Sequence, residues 1–480
     1  MSRYSCSSVS LTTIVQEAGI SAELIGASDV VVTGITQDSR SVKQGDLFCC
    51  VRGQFADGHA FAEQAIRSGA SALLVDTVQP NVPGHVTQVV VSSVRDVLGS
   101  VASATFGHPS RELKMTGITG TNGKTSTACI LGEILKAHGV TALVIGTLTG
   151  ERTTPEAIDL QHQLREFVDS GGTHVVMEVS SHGLVMGRVN GILFDVAVFT
   201  NLGRDHLDFH GSYENYFAAK AQLFTPALAQ HAVINADDKY GQLLIDVCEV
   251  GVTTFGRAVA DDVRVDVGSV DFEWNSLSVH LSMGGEFSLY NALAAMTAAQ
   301  ILGVTDGVIV NGCERVAGVP GRFESVPNEE GIGVVVDYAH TPESLEGVLH
   351  SARLLTEGRI IVVFGCGGDR DAGKRSVMGE IASRLSDVVY VTSDNPRSED
   401  PSAIIEEIMK GTRSNTAVVQ SRVDRAEAIH IAVSEARICD IGVIAGKGHE
   451  STQETRGVVI PFDDVDVARV ALLSRKKNDR

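Results

Sequence analysis

The chain of 480 residues is long enough for about two to four domains, and 43% hydrophobic with 20% charged residues is an ordinary globular composition. Its formal net charge of −20 argues against nucleic acid as a partner, because surfaces that bind nucleic acid are usually basic. The eight cysteines form no C-x-x-C pair, which favours reduced, buried thiols over disulfides or metal ligands. No signal peptide is recognisable and no run approaches 18 apolar residues, so we expect a cytoplasmic protein without a membrane span.

Hydrophobic patterning divides the chain into three segments, which we predict to be domains spanning residues 1–111, 112–318 and 319–480. In the first segment, strands are predicted at Val30–Val32, Leu47–Val51, Ala72–Val75 and Gln88–Val91, with Phe106–Ser110 as a linker. In the second, strands are predicted at Leu113–Thr119, Ala142–Ile145, Thr173–Val179, Asp195–Thr200 and Ala232–Asn235. Helices are predicted between them at Thr125–Ala137, Ala157–Asp169 and Tyr213–Phe224.

The third segment alternates in the same way. Its predicted strands are Val334–Asp337, Ile360–Phe364, Val388–Thr392 and Ile441–Ala445. Its predicted helices are Pro342–Leu355, Gly373–Leu385, Pro401–Met409 and Asp424–Glu435. Alternation of strands and helices implies largely parallel sheets with crossover helices, so the sequence predicts an α/β fold.

A glycine loop that ends in Lys-Thr follows the first strand of the second segment and opens a helix. Its spacing, G-x-x-G-K-T, is shorter than the common phosphate-loop motif, and it consists of Gly120, Thr121, Asn122, Gly123, Lys124, Thr125 and Ser126. The two glycines let the backbone N–H groups turn toward phosphate oxygens, and the helix N-terminus adds partial positive charge. Lys124 would reach the terminal phosphates and Thr125 would ligate Mg²⁺, so the loop predicts nucleotide binding.

Ionisable side chains follow two further strands of this segment. Glu178 would hold Mg²⁺ beside the phosphates, and the alternative is a partly exposed glutamate at the sheet edge. His206 lies in the polar run Asn201–His210, which is costly after a buried strand unless it binds something. Asp205 and Asp208 could equally cap the following turn, and a surface group is the favoured interpretation of His210. Composition alone makes Lys220 a solvated lysine on an amphipathic helix.

Polar residues also occupy the entrance to the third segment and the ends of its strands. Arg322, in a glycine turn, would meet a γ-phosphate and Asp337 a ribose, with an inter-domain salt bridge as the alternative. The loops Gly365–Asp371, Asp394–Arg397 and Gly446–Glu450 follow strands of one predicted sheet and would share a crevice. Their guanidinium and carboxylate groups suggest a zwitterionic amino acid, whereas turn chemistry alone would explain each loop singly.

These motifs occur in a fixed order across nearly the whole chain: GTNGKTS, EVSSHGL, NLGRDHLDFH, YFAAK, YNALAA, GRFE, DYAHTP, FGCGGDRD, DNPR and GKGHE. In that order they resemble the Mur ligases, and within them the MurE type, which adds the third peptide residue to the cytoplasmic peptidoglycan precursor. Folylpolyglutamate synthases share the phosphate loop but are not similar through DNPR and GKGHE. The resemblance implies an N-terminal UDP-binding α/β domain, a central P-loop ATPase-like domain with a parallel sheet, and a C-terminal Rossmann-like domain for the amino acid.

The resemblance also implies an ATP-dependent amide ligase of cell wall biogenesis, and through it a role in cell shape and cell division. ATP would phosphorylate the D-glutamate side chain of UDP-MurNAc-L-Ala-D-Glu, because a carboxylate is a poor electrophile. The amino group of meso-diaminopimelate would then attack the acyl phosphate, while the protein positions reactants and neutralises charge. We expect Mg²⁺ as cofactor, a monomer, and neither nucleic acid nor membrane as a partner.

Site residues follow from the resemblance position by position. The catalytic set is Lys124, Glu178, His206 and Lys220. ATP would be bound by the glycine loop together with Asn291, Arg322 and Asp337. Thr125 and Glu178 would hold one Mg²⁺, and a second would be held by His206 and Lys220, which aligns with the family's carbamylated lysine. The sugar-peptide would contact Ser39, Thr153, Thr154, Ser180 and Arg188. Diaminopimelate would contact Arg370, Asp394, Asn395, Pro396, Arg397, Gly446 and Glu450.

The DNPR motif is the family's mark of diaminopimelate specificity, and the reason is physical. Diaminopimelate carries a second carboxylate that lysine lacks, and Arg397 would pair with it, for a selectivity of roughly hundreds-fold. Two positions depart from the family pattern: Met186 stands where many members carry glutamine, and Arg152 replaces an asparagine before the Thr-Thr pair. Both departures concern the sugar-peptide site.

Three other functions remain open at this stage. One is the lysine-adding ligase of the same type, which would need a pocket without a paired Arg397. Another is a nucleotide-binding scaffold without turnover, against which the joint presence of Lys124, Glu178, His206 and Lys220 argues. A third is a P-loop ligase that acts on a different glutamyl substrate, such as a folate.

Overall fold

The computed structural model describes residues 4–27, 30–53, 56–412 and 417–478, and three six-stranded sheets form its framework. Each sheet is mainly parallel and packs an apolar core against each of its faces. The predicted three-domain α/β architecture is confirmed. Among the described residues, no helix is both long and apolar enough to cross a membrane.

The N-terminal sheet has the strand order β1-β3-β4-β5-β6-β2. Its strands are β1 (Tyr4–Ser10), β2 (Glu23–Ile25), β3 (Val31–Thr36), β4 (Asp46–Cys49), β5 (Ala72–Val75) and β6 (Thr87–Val90). Its helices are α1 (Leu11–Glu17), α2 (Ala62–Arg67) and α3 (Val94–Thr105). Strands β3 to β6 are parallel, and the edge strands β1 and β2 are antiparallel to their neighbours.

The central sheet is entirely parallel, with the order β12-β11-β10-β7-β9-β8. Its strands are β7 (Lys114–Thr119), β8 (Ala142–Ile145), β9 (His174–Glu178), β10 (Phe194–Phe199), β11 (Ala229–Asn235) and β12 (Gly251–Phe255). A small antiparallel sheet follows, made of β13 (Asp261–Val265), β14 (Val270–Trp274) and β15 (Leu277–Leu281). The helices are α4 (Lys124–Ala137), α5 (Ala157–Asp169), α6 (Ser181–Val185), α7 (Leu207–His210), α8 (Tyr213–Ala221), α9 (Lys239–Val247), α10 (Glu286–Ile301) and α11 (Asp306–Glu314).

The C-terminal sheet has the order β16-β17-β21-β18-β19-β20, and a separate hairpin, β22–β23, follows it. Its strands are β16 (Glu324–Ser325), β17 (Gly333–Asp337), β18 (Ile360–Phe364), β19 (Val388–Val391), β20 (Val418–Ser421) and β21 (Ile441–Ala445). The hairpin consists of β22 (Thr452–Thr455) and β23 (Val458–Pro461). The helices are α12 (Pro342–Leu354), α13 (Lys374–Leu385), α14 (Pro401–Gly411), α15 (Arg425–Glu435) and α16 (Asp464–Asn478).

Strand order brings the predicted site loops together. In the central sheet β10, β7 and β9 are neighbours, so the segments that follow them meet at one edge of the sheet. In the C-terminal sheet the same holds for β17, β21, β18 and β19. Because the carboxyl ends of adjacent parallel strands share an edge, both sets of polar loops are gathered where α/β sheets bind their ligands.

One predicted helix is shorter than expected. The sequence predicts helix from Tyr213 to Phe224, but α8 ends at Ala221 and Gln222–Phe224 form a 3₁₀ turn. The tighter turn buries both Leu223 and Phe224, and such turns are frequent at helix ends.

The eight cysteines are all free, as predicted. Burial raises the pKa of the Cys50 and Cys366 thiols to about 12, which keeps them protonated and unreactive. The expectation of burial is correct for four of the eight cysteines, whereas Cys6, Cys129 and Cys248 are only partly buried and Cys439 is exposed.

Candidate active site

A cleft of about 560 Å³ lies between the central and the C-terminal sheet. One wall is the loop after β7, and the opposite wall is the segment after β17 together with α12. Nine of the ten residues predicted to bind ATP line the cleft: Thr121, Asn122, Gly123, Lys124, Thr125, Ser126, Asn291, Arg322 and Asp337. The carbonyl oxygen of the tenth, Gly120, accepts hydrogen bonds from Lys124 Nζ and Lys220 Nζ instead.

The glycine loop has the curled backbone that its sequence predicts. Gly120 has a φ of +150° and Gly123 a φ of +85°, both in the region that favours glycine. A Cβ at Gly123 would lie 2.3 Å from Asn291 Oδ1, so only glycine lets α10 approach the loop this closely. Lys124 Nζ donates to the carbonyls of Gly120 and Thr121 at 2.9 Å each, and burial lowers its pKa. The lysine therefore lies within the loop, where a phosphate chain would be bound.

Glu178 is buried at the carboxyl end of β9, which makes the alternative of a partly exposed sheet-edge glutamate wrong. Its Oε2 accepts a hydrogen bond from Thr125 Oγ1 at 3.0 Å, and its Oε1 accepts one from the backbone N–H of Thr147 at 2.8 Å. Two oxygens in adjacent octahedral positions around Mg²⁺, at bonds of about 2.1 Å, lie about 3.0 Å apart. The hydroxyl and the carboxylate are thus close enough together to ligate one Mg²⁺.

Arg322 connects the two walls of the cleft. Its Nη2 lies 3.5 Å from Thr125 Oγ1, and its guanidinium carbon lies 4.9 Å from the centre of the Tyr338 ring. Asp337 Oδ2 accepts a hydrogen bond from the Phe323 N–H at 2.7 Å, and burial raises the pKa of this carboxyl. The Arg322 charge opposes this rise in the pKa of Asp337, but burial outweighs it.

Lys220 is buried, so the expectation of a solvated lysine from composition alone is wrong. Its Nζ donates to Gly120 O at 2.8 Å and lies 4.6 Å from the centre of the Tyr216 ring. Burial, together with the nearby Lys124 ammonium, lowers the pKa of Lys220 well below its usual value. Its amine is therefore held in an environment that favours the neutral, nucleophilic form.

Three histidines cluster beside Lys220. His206 lines the cleft with a φ of +52°, and its ring centre lies 4.7 Å from that of His182. Burial and the neighbouring rings lower the pKa of His182 to about 4. His210 is buried and its Nε2 lies 3.0 Å from Ser181 Oγ, so the alternative of a surface histidine is wrong.

Nowhere in the described ranges do three or more His, Cys, Asp or Glu side chains form a group that could hold a metal ion by themselves. The first predicted Mg²⁺ position therefore depends on the Thr125 hydroxyl, the Glu178 carboxylate and oxygens supplied by substrates, as is usual for Mg²⁺ bound with a nucleotide. The second depends on His206 and on carbamylation of Lys220.

The polar loops of the C-terminal sheet form a second group next to the cleft. Asn395 Nδ2 donates to Glu450 Oε2 at 2.7 Å, and a Cβ at Gly446 would lie 2.7 Å from Asp394 Oδ2. Arg397 has a φ of +52°, and its Nη1 donates to Gly368 O at 2.7 Å.

The remaining members of this group are less constrained or act through their backbone. A Cβ at Gly368 would lie 1.9 Å from Pro396 O, so the two loops are in close contact. Arg370 is exposed at the end of the first loop. The Tyr338 ring lies 5.0 Å from that of His449, which adjoins Glu450, so this group is continuous with the nucleotide cleft.

Family models match the three parts of the chain in turn. The Mur ligase family catalytic domain matches residues 31–106, the Mur ligase middle domain residues 118–299, and the Mur ligase glutamate ligase domain residues 321–448. The chain belongs to the Mur ligase family. It is thus a ligase of the family that the motif order predicts.

Relatives that match nearly the full length of this chain support its membership of the family. A relative from Syntrophomonas wolfei is 43% identical over 94% of this chain and 97% of its own length. One from Streptomyces avermitilis is 41% identical over 97% of each. Both are named UDP-N-acetylmuramoyl-L-alanyl-D-glutamate--2,6-diaminopimelate ligase.

Solved structures are similar as well. One that bears the same name covers 98% of this chain and 100% of its own, with a TM-score of 0.70 and 32% identity. The MurF ligase of Thermotoga maritima in complex with ADP has a TM-score of 0.62, covering 93% and 98% of the two chains. At 22% identity, the latter shows a common fold alone.

Four of the five predicted sugar-peptide residues lie close together in this Mur ligase. Thr154 is fully buried, and its hydroxyl lies 2.9 Å from Glu178 O and 3.1 Å from Ser180 Oγ. Arg188 Nη1 donates to Thr154 O at 3.1 Å, and Thr153 Oγ1 lies 3.1 Å from the Thr147 hydroxyl. The fifth residue, Ser39, lies in the turn after β3 of the N-terminal sheet, and in the described part of the chain no hydrogen bond joins it to the other four.

The two departures from the family pattern have structural partners. Met186 Sδ accepts a hydrogen bond from Arg95 Nη1 at 3.1 Å and thereby contacts α3 of the N-terminal sheet. Arg152 Nε lies 3.6 Å from Glu156 Oε1, the same oxygen that pairs with Arg188 Nη2 at 2.7 Å. Arg152 thus shares an acceptor with the predicted sugar-peptide residue Arg188, whereas Met186 connects the segment before Arg188 to α3.

Sequence reasoning missed several residues that support the site. Thr147 lines the cleft and contacts Glu178, but threonine in a short loop gives no distinct signal. Lys447, inside the GKGHE motif, is fully buried, and its presence in a noted motif was the only available signal. Arg425 and Asp464 form an ion pair with neither side chain exposed, and no sequence pattern connects them.

The hairpin β22–β23 contacts the loop that contains the DNPR segment. The N–H of Arg397 donates to Glu454 O at 3.1 Å, and its carbonyl accepts from the Arg456 N–H at 2.5 Å. Gln453 Nε2 donates to Asp394 O at 2.7 Å, and the Glu454 N–H donates to Asn395 Oδ1 at 2.9 Å. The hairpin therefore fixes the backbone of the DNPR segment at several points.

Proposed function

We propose that this Mur ligase uses ATP and Mg²⁺ to join meso-diaminopimelate to the D-glutamate of UDP-MurNAc-L-Ala-D-Glu during peptidoglycan precursor synthesis. Relatives between 39% and 43% identical, from several bacteria, bear the name of the diaminopimelate-adding ligase. The names of these relatives indicate the substrate class, and the side chains beside the cleft supply a chemical reason for it.

The cleft suits the first half of the reaction. Peptide N–H groups of the glycine loop would bind the nucleotide phosphates, with Lys124 and Arg322 neutralising charge as the γ-phosphoryl group moves to the D-glutamate carboxylate. Asn291 and Asp337 would hold the nucleoside. Mg²⁺ supplies charge neutralisation between the phosphates when bound, and Thr125 with Glu178 would hold it.

Lys220 and His206 suit a second cation position. A lysine held neutral by burial is the form that reacts with CO₂, and carbamylation would replace its ammonium with oxygen donors. Burial lowers the pKa of His206, which favours the neutral imidazole that can ligate a cation. We assign these two residues to the second Mg²⁺.

The polar group after β18, β19 and β21 suits the second half of the reaction. Asn395 and Glu450, with Arg370 and Gly446, would fix the end of meso-diaminopimelate that carries its second carboxylate, and Asp394 and Pro396 would belong to the same pocket. Arg397 would pair with the carboxylate that distinguishes diaminopimelate from lysine. The alternative substrate, L-lysine, would leave this guanidinium unpaired.

Further assignments complete the proposal. Thr153, Thr154, Ser180 and Arg188 would contact the peptide portion of the sugar-peptide, and Ser39 its uridine. We place the domain boundaries at residues 111/112 and 318/319 and the reaction in the cytoplasm, with the protein as a monomer.

The proposal rests on one chain of contacts. Arg322 packs on the Tyr338 ring, Tyr338 contacts His449, and Glu450 follows His449, so the proposed nucleotide cleft adjoins the proposed amino-acid pocket. The test is ATP- and UDP-MurNAc-L-Ala-D-Glu-dependent phosphate release with meso-diaminopimelate, L-lysine or no amino acid. Strong stimulation by diaminopimelate alone is expected. Stimulation by lysine would overturn the assignment to Arg397, and stimulation by neither would overturn the acceptor.

A further inference from the structure

Lys447 is a fully buried lysine to which the proposed reaction gives no part. It lies two residues beyond β21, in the loop Gly446–Glu450, and its side chain is 0% exposed. Lysine is almost never fully buried without partners, because taking an ammonium out of water is costly. Its position therefore calls for a specific set of acceptors.

Each N–H of the Lys447 ammonium has an acceptor. Nζ donates to Thr452 O at 2.6 Å, to Glu450 Oε2 at 3.1 Å and to Asn395 Oδ1 at 3.4 Å. An ammonium has three donors and no acceptor, so these contacts use its whole capacity. Two of the acceptors are side chains of the proposed amino-acid pocket.

The contacts determine how Asn395 is oriented. Its Oδ1 accepts from the Glu454 N–H at 2.9 Å and from Lys447, and both groups can only donate. Its Nδ2 faces Glu450 Oε2 at 2.7 Å, an oxygen that a carboxylate uses only as an acceptor. The amide therefore has one orientation that satisfies all of its neighbours.

The same contacts leave half of Glu450 available. Lys447 and Asn395 both donate to Oε2, whereas no donor among the described residues contacts Oε1. The Glu450 side chain is about one-third exposed, at 32%, so Oε1 can meet a ligand from the crevice. Glu450 Oε2 is thus fixed by donors of the protein, whereas Oε1 is available to a ligand.

We propose that Lys447 is a positioning residue for amino-acid recognition, which acts through Asn395 and Glu450 without contacting the substrate. The proposal rests on the function proposed above for this pocket. Without the ammonium, Glu450 would lose a charged donor and the Asn395 amide would lose one of the two groups that orient it. Affinity for the incoming amino acid should then fall while the nucleotide cleft is unchanged.

The test is Lys447→Met, which keeps the length and apolar stem of the side chain but removes the donors, with Lys410→Met on the exposed face of α14 as the matched control. We expect KM for meso-diaminopimelate to rise by about tenfold to a hundredfold, the range for losing a hydrogen bond to a charged group. KM for ATP and KM for UDP-MurNAc-L-Ala-D-Glu should stay within about twofold. The Lys410→Met enzyme should match the wild type in all three.

Further variants separate positioning from a purely structural role. Lys447→Gln keeps two N–H donors and should raise the KM for meso-diaminopimelate less than Lys447→Met does. The glutamine variant also provides the test if the methionine variant does not fold. In a Glu450→Gln background, Lys447→Met should add much less than it does alone, because the lysine acts through that carboxylate.

The outcomes distinguish the two proposals. A wild-type enzyme that diaminopimelate does not stimulate contradicts the proposed function. A stimulated wild type whose Lys447 variants melt earlier but keep an unchanged diaminopimelate KM contradicts the positioning role, as does an equal rise in all three KM values.

Discussion

The ion pair between Arg425 and Asp464 should be the main determinant of stability at the carboxyl ends of β19 and β21. Neither side chain is exposed, and the two nitrogen–oxygen distances are 2.8 and 2.7 Å. Arg425 also donates to Ser393 O at 3.3 Å and to Ala445 O at 3.0 Å, the last residues before the DNPR and GKGHE segments. Asp464→Ala would leave a buried guanidinium with carbonyl partners alone.

Breaking a buried pair by removing one partner costs about 3–5 kcal/mol. For a domain of about 160 residues, 1 kcal/mol shifts Tm by about 2–4 °C, so the C-terminal transition should fall by roughly 6–20 °C. Differential scanning calorimetry measures it. The single tryptophan, Trp274, lies on β14 of the central part, so its fluorescence reports a different region and provides an internal comparison.

Asp466→Ala is the matched control, because this aspartate lies two residues away, is 72% exposed and pairs with Arg469. Its effect should stay within about 0.5 kcal/mol. Replacing both partners, as Arg425→Met with Asp464→Leu, should recover much of the loss, since apolar residues of similar volume often replace buried pairs without cost. A Tm decrease below about 2 °C in Asp464→Ala would refute this reasoning.

The remaining predictions concern catalysis. Arg397→Ala should lower kcat/KM for meso-diaminopimelate by about tenfold to a hundredfold and narrow the preference over lysine, whereas Arg456→Ala on the neighbouring exposed turn should change neither. Glu178→Gln should lower kcat by about a hundredfold or more with ADP binding retained, because an uncharged amide would replace the carboxylate that is proposed to ligate Mg²⁺. A wild-type kcat in this variant would contradict the metal role. Lys220→Ala should lose activity that CO₂ cannot restore and a short carboxylate in solution partly restores, and full activity in this variant would disprove the second-metal proposal.

Much of the nucleotide cleft is predictable from sequence because its residues are defined locally. The glycines, Lys124 and Thr125 occupy a strand–loop–helix segment, and Glu178 ends an apolar strand, so each signal lies within a few residues. The burial of Lys220 is not predictable in this way. Its helix has the pattern of an amphipathic, solvated helix, and the packing of α8 against the glycine loop, where Lys220 Nζ donates to Gly120 O, removes the lysine from water.

Supporting contacts between distant residues are the hardest to predict. Arg425 and Asp464 are 39 positions apart on different helices, and neither has a local pattern that indicates a partner. The small antiparallel sheet β13–β14–β15 was also missed, although β14 alternates buried and exposed residues over Val270–Trp274. Five residues are too few for periodicity to stand out from a loop.

The hairpin β22–β23 gives this ligase a means of changing selectivity indirectly. It bonds to the backbone of Arg397, to the amide of Asn395 and, through Thr452 O, to Lys447, yet most of β23 faces solvent. Insertions at its exposed tip, or a different turn type around Arg456-Gly457, would therefore shift the Arg397 guanidinium without altering any residue that is proposed to contact the amino acid. For an engineer who seeks other diacid amines as substrates, that exposed tip is a more tolerant place to randomise than the pocket.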